Sequence, residues 1–306
     1  QRADGAHRTC LTPWAKATFA RHGRFAPCYR SGTLADPGNE RVDRRVMDIE
    51  LNEESRQRVR LLVAYDGSAF SGFARNLGVT TVAGELEAHL RRVLKHEVVI
   101  TGAGRTDKGV HAWGQVVTFD TFADRLQPER LQRSINSVCG PAIAVRAIDL
   151  VDTDFDARFS AKWRRYRYTI LTAATPNPFL YRYAWHVTDP ISVDAMDEAG
   201  HAILGEHDFS SFCRRPPDRH DGTPASLVRE VTGLRWERLE GDLLRCEITA
   251  RAFCHQMVRS IVGTLVDVGR GRLATDQVAT ILAARDRNAA GDLAPPQGLC
   301  LHEVGY

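Results

Sequence analysis

From Val59 to Leu150 the hydrophobic period switches between two and 3.6 in an order that regular βαβ alternation does not produce. Residues 59–65 read as a strand that runs into the turn Asp66-Gly67-Ser68. Thr81 can cap a helix to about His96, with Leu86, Leu90, Val93 and Leu94 on one face. Residues 98–101 read as a second strand. A loop bearing Gly102, Gly104 and Gly109 follows, and residues 113–119 read as a third strand. Pro128 fits the first turn of another helix to about Val138, and residues 142–150 return as a strand. Strand, helix, strand, loop, strand, helix, strand is an α+β pattern.

A similar order recurs after about residue 158. Residues 163–171 read as a strand, and Ser192 can cap a helix to about Leu204. Residues 229–239 and 242–250 form a hairpin about Glu240-Gly241. A nearly all-apolar helix spans 255–268, another follows Thr275, and residues 299–304 read as a closing strand. At roughly 150 residues per domain, 306 residues make about two domains with ample core. The expected fold is therefore α+β. Two halves, 47–157 and 158–306, share a central, mainly antiparallel sheet with a cleft between them.

Composition narrows the function less than it first promises. The 43% hydrophobic and 26% charged content fits a globular protein, and no stretch approaches the roughly 18 apolar residues of a membrane helix. No apolar signal-peptide core stands at the N-terminus, so the expected location is the cytoplasm, with no membrane partner. The net charge is +3, but residues 1–46 hold nine Lys/Arg against four Asp/Glu, leaving 32 basic and 34 acidic residues elsewhere. Any case for a nucleic-acid partner must rest on local clusters. Residues 1–46 are polar and Arg-rich without a sustained period, and the first methionine is Met47. They read as a disordered tail or as sequence upstream of a start at Met47, with a basic RNA-binding arm as the alternative. Seven cysteines (10, 28, 139, 213, 246, 254 and 300) are odd in number and scattered, with no C-x-x-C pair. That speaks against a zinc site and a disulfide framework. Cys139, Cys246 and Cys254 read as free, mostly buried thiols in a reducing cytosol.

One loop concentrates chemistry. An arginine two residues before a carboxylate, among glycines, describes a surface ion pair holding a turn as well as it describes a site. The loop lacks both G-x-x-x-x-G-K-[ST] and G-x-G-x-x-G, which disfavours a phosphate loop. The longer string Gly102-Ala103-Gly104-Arg105-Thr106-Asp107-Lys108-Gly109-Val110-His111-Ala112, continuing into Gln115-Val116-Val117, closely resembles the signature loop of the TruA family of tRNA pseudouridine synthases. Further similarities follow in order. They are Tyr65-Asp66-Gly67-Ser68-x-Phe70, then Phe155–Ala161 leading into Arg164-Arg165-Tyr166-Arg167-Tyr168, then His255-Gln256-Met257-Val258-Arg259, then Gly298-Leu299. The resemblance covers about residues 59–306. Where the family usually has Gly-Trp-Gln, this chain reads Gly72-Phe73-Ala74; Phe73 can still fill an apolar slot, and Ala74 lacks a hydrogen-bonding side chain.

The resemblance implies a pseudouridine-synthase fold, a homodimer and a tRNA substrate on the 3′ side of the anticodon stem-loop. Moving the glycosidic bond of uridine from N1 to C5 involves no net redox change, so no cofactor or metal is implied. A carboxylate suffices, either as nucleophile or as promoter of a glycal, and Asp107 is that residue by resemblance. Arg259, in an otherwise mainly apolar helix, is the expected cation beside it, since a carboxylate in a closed cleft needs one. Tyr166 is implied to stack on the uracil and to help remove the C5 proton. Arg105 is implied to take the place of the extruded nucleotide. Arg164, Leu299 and His111 complete the implied substrate contacts. Residues 158–182 add Arg158, Lys162, Arg164, Arg165, Arg167 and Arg182 with no acidic residue, interleaved with the aromatics Phe159, Trp163, Tyr166 and Tyr168, a composition that suits RNA or a solvated strand face. Arg214, Arg215, Arg219 and His220 form a second basic group. A non-catalytic RNA binder on the same fold and a synthase for another RNA are the rival readings.

Overall fold

The alternation of Val59, Leu61 and Val63, all fully buried, makes β1 (Arg56–Tyr65) a half-covered strand. The computed structural model describes residues 56–217 and 222–306, so the expected tail, 1–46, lies outside the described residues. Thr81 caps α1 (Val82–Leu94), its side chain accepting from Gly84 N at 3.2 Å. Leu86, Leu90 and Leu94 are buried as expected, but Val93 is exposed: the last turn buries Leu94 alone. The strand expected over 98–101 shrinks to β2 (Thr101–Gly102). The buried Glu87 of α1 accepts the Ile100 N–H at 3.1 Å, which ties the preceding stretch to the helix before a sheet ladder can form.

β3 (His111–Phe122), α2 (Pro128–Cys139) and β4 (Ile143–Val151) complete the first half. The second half contains β5 (Trp163–Leu171), β6 (Trp185–His186) and α3 (Val193–Gly200), whose cap Ser192 accepts from Ala195 N. Then come β7 (Gly205–Asp208), the hairpin β8 (Val228–Leu239) and β9 (Leu243–Ala250), α4 (Met257–Gly269) and α5 (Gln277–Ala284). The chain closes with β10 (Leu299–Gly305).

These strands form one ten-stranded sheet in the order β4-β1-β3-β10-β5-β9-β8-β7, with β2 added on β3 and β6 on β5. Pairing is antiparallel except at β10–β3 and β5–β6, in keeping with the expected mainly antiparallel sheet. The last strand in sequence thus lies at the centre, between β3 of one half and β5 of the other. A single apolar cluster runs from Val59 through Tyr168 to Leu301. Among the described residues no helix is long and apolar enough to cross a membrane.

One cysteine reading is corrected. Cys254 is not a free thiol: it is joined to Cys213 across 41 residues, with Cα atoms 5.9 Å apart. Only tertiary structure brings the turn ending at Cys213 against the loop before α4, so spacing along the chain gave no sign of the pair. Cys139, Cys246 and Cys300 are free.

Candidate active site

The loop between β2 and β3 is held by its main chain. The Gln115 amide, fully buried, donates to Gly104 O at 2.8 Å and accepts from Gly104 N at 3.3 Å. Tyr65 Oη and Thr106 Oγ1 are 2.8 Å apart, and Phe73 N donates to Thr106 O at 3.0 Å. Phe73 does fill an apolar slot. It is buried, stacked with Tyr65 at 6.2 Å, and packed so closely on Gly102 that any Cβ there would overlap its ring. Arg164 donates to the carbonyls of Ala103, Ala161, Arg251 and Arg158, so its guanidinium braces the start of the loop.

So supported, Asp107 projects into a cleft of about 1060 Å³. That is at the upper end for small-molecule sites and leaves room for a nucleotide. Arg259 Nη1 lies 3.6 Å from Asp107 Oδ2, and its Nε donates to Ala294 O at 2.7 Å, which fixes the guanidinium plane. Burial draws Arg259 below its ordinary value while the Asp107 charge pulls it back, so it stays a cation. Tyr166 is buried, with its ring edge-on to Phe253 at 5.1 Å. Among the described residues its phenol has no hydrogen-bond partner. Burial first, then the Asp107 charge, raise that phenol well above its usual value.

The structure thus brings together Asp107, Tyr166, Arg259, Arg105, Leu299 and Arg164, all lining one cleft. Arg105 is exposed, and among the described residues nothing engages its side chain. His111 is placed elsewhere: it is buried, accepts from Gly67 N at 3.0 Å, contacts Arg182 O at 2.8 Å and does not line the cleft. The basic cluster on β5 also divides. Arg165 and Arg167 lie on the face opposite Tyr166 and pair with Glu247 and Glu303, because neighbours on a strand point to opposite faces. Of the second group, Arg214 and Arg215 are exposed, whereas Arg219 and His220 lie outside the described residues. Two further residues of the cleft were not singled out from the sequence. Phe253 packs on Tyr166, and His255 stands with Nε2 3.1 Å from Asp107 Oδ1.

The family model described as tRNA pseudouridine synthase matches residues 61–160 and 199–306. The chain belongs to that family. Among similar synthases, a tRNA pseudouridine synthase A of Brevibacillus brevis is 42% identical over 250 residues, covering 82% of this chain and all of that one. One of Aeromonas hydrophila is 44% identical over 249 residues, covering 81% and 90%. One of Halalkalibacterium halodurans is 43% identical over 244 residues, covering 79% and 90%. The cleft of this synthase is lined from the loop of β2–β3, β5, the start of α4 and the first residue of β10.

Proposed function

We propose that the protein isomerises uridine to pseudouridine in the anticodon stem-loop of tRNA, on its 3′ side, with Asp107 as the nucleophile. The observation that carries this is a carboxylate beside a fixed arginine and near the hydroxyl of buried Tyr166, which has no hydrogen-bond partner among the described residues, in a cleft of nucleotide size. Extruding the target uridine costs a few kcal/mol. Arg105 is free to fill the vacated place, where a planar guanidinium can stack and bond to phosphate. Leu299 and Tyr166 give the base an apolar seat.

Asp107 then attacks C1′, or promotes glycal formation, as the N1 bond breaks. The base turns and C5 bonds to C1′ as the Asp107–C1′ ester bond breaks and frees the carboxylate, or, from the glycal, as C2′ regains the proton it lost. The C5 proton leaves with help from Tyr166, and N1 gains a proton, so the product is an isomer and no electrons are exchanged. Arg164 serves the substrate through the loop it braces, and His111 through the main chain it holds. The test is incubation with an unmodified tRNA transcript, followed by carbodiimide-blocked primer extension. Wild-type protein is expected to give stops in the anticodon arm. Asp107→Asn is expected to bind the transcript and give none. Product from the variant, or none from the wild type, overturns the assignment.

A further inference from the structure

The loop joining β9 to α4 sends three successive side chains to three different contacts around the cleft. Phe253 meets the Tyr166 ring, Cys254 is joined to Cys213, and His255 Nε2 reaches 3.1 Å from Asp107 Oδ1. The main chain is fixed on both sides of His255. Its carbonyl accepts from Arg214 N at 3.0 Å. Gln256 adopts a left-handed conformation, φ 67° and ψ 1°, from which α4 starts. For a residue other than glycine that conformation costs of order 1 kcal/mol and persists where surrounding contacts enforce it. The imidazole is 44% exposed, at the border between the cleft and solvent. One side faces Asp107, and the other borders a hollow lined by Arg214, Arg215, Pro216 and Pro217.

We propose that His255 is a positioning residue for Asp107. Arg259 stands 3.6 Å from Oδ2, an ion-pair separation too long to set direction by itself. His255 approaches the other oxygen, Oδ1, at 3.1 Å, close enough for a hydrogen bond but not aligned as one in this structure. A small turn of the ring that points Nε2–H at Oδ1, with Arg259 on Oδ2, stops the carboxylate turning about its Cβ–Cγ bond and keeps one lone-pair edge toward the sugar. Hydrogen bonds of this kind are often poorly aligned in a free enzyme and tighten once the cleft is filled. Both the neutral and the protonated ring can supply the Nε2–H, so the role does not depend on charge. The inference rests on Asp107 being the nucleophile.

The test compares wild type, His255→Ala, His255→Gln and Asp107→Asn in two measurements. One is the single-turnover rate on an unmodified tRNA transcript, and the other is the dissociation constant by filter binding. Circular dichroism melts verify that each variant is folded. The glutamine places an uncharged amide N–H near the position of Nε2. Since an ångström of misplacement can cost about a hundredfold, His255→Ala is expected to slow turnover about tenfold to a hundredfold, with affinity held within about threefold. His255→Gln is expected to recover most of the rate. Three outcomes overturn the proposal. They are wild-type turnover in His255→Ala, a loss that lies wholly in affinity and so marks a phosphate contact with the arginine-lined hollow, and His255→Gln as slow as His255→Ala. Turnover by Asp107→Asn would instead remove the nucleophile assignment, whatever His255 does.

Discussion

Tyr166 shows how one residue's surroundings set its chemistry. Its ring is enclosed and edge-on to Phe253, so ionising the phenol would place a charge in a poorly solvated site beside Asp107. Both effects raise its proton affinity, and the neutral form persists as pH climbs through the ordinary tyrosine value of about 10. Tyr166→Phe keeps the ring and removes only the hydroxyl. It is expected to hold tRNA affinity within about twofold while turnover falls by about 10²–10⁴, the usual range for a proton-transferring group. The wild-type rate is expected to show no loss near pH 10 that disappears in the variant. A single-turnover pH series on both proteins measures this, and wild-type rates in the phenylalanine variant would end the proton-transfer role. Asp107, Tyr166 and Arg259 were legible because contiguous motifs named them. His255 was not, although it stands in one of those motifs: next to an apolar helix, nothing in its spacing marks it as the neighbour of a loop far back in the chain.

Strand β5 performs two tasks by alternation. Tyr166 and Tyr168 turn to the buried face, while Arg165 and Arg167 turn to the other, where Glu247 of β9 meets them. Sequence alone could place the strand over 163–171, and alternation along it already set Tyr166 on one face with Arg164 and Tyr168, and Arg165 and Arg167 on the other. What it could not give is the partner that meets those two arginines, Glu247, which is set by β-sheet register between Arg167 and Glu247. Burial works against ionisation of Glu247, but hydrogen bonds and charge from Arg167 and Arg235 more than offset it, and the carboxyl is held below its ordinary value. A depressed carboxyl contributes stability above its unfolded value of about 4.3 and loses it as pH falls through the folded one. Glu247→Gln is accordingly expected to cost about 1–2 kcal/mol at pH 7 by urea denaturation, with the difference from wild type shrinking below about pH 4. An equal penalty at pH 7 and pH 3 would show that packing, not charge, is what the variant lost. The shortened β2 and the Cys213–Cys254 pair escaped the sequence for a related reason. Each is decided by a partner distant along the chain, Glu87 for the first and a tertiary contact for the second.

At the scale of the whole molecule, β10 joins what the sequence divides into two halves. Its Cys300 and Leu301 pair parallel with His111 and Ala112 of β3, directly after the Asp107 loop, while Leu301 pairs antiparallel with Tyr166 of β5. One strand thus sets the separation between the carboxylate and the phenol, and its first residue, Leu299, lines the same cleft. The α+β pattern and the closing strand could be read from periodicity. The central place of that strand could not, because hydrophobic pattern says which face is buried but not which neighbour a strand takes. If β10 binds the halves into one cooperative unit, amides of β1 and β3 and those of β5 and β9 should share the slowest hydrogen-exchange class. Leu301 is fully buried, and Leu301→Ala is expected to cost about 2–5 kcal/mol. Its effect should appear as the same loss of protection on both sides of β10, accompanied by slower turnover from a loosened Asp107–Tyr166 spacing. Native-state exchange read by mass spectrometry separates the alternatives. Protection lost in only one half would mean that the two open independently, and that the geometry of the site is set by the loop contacts of Gln115 and Arg164 rather than by the shared sheet.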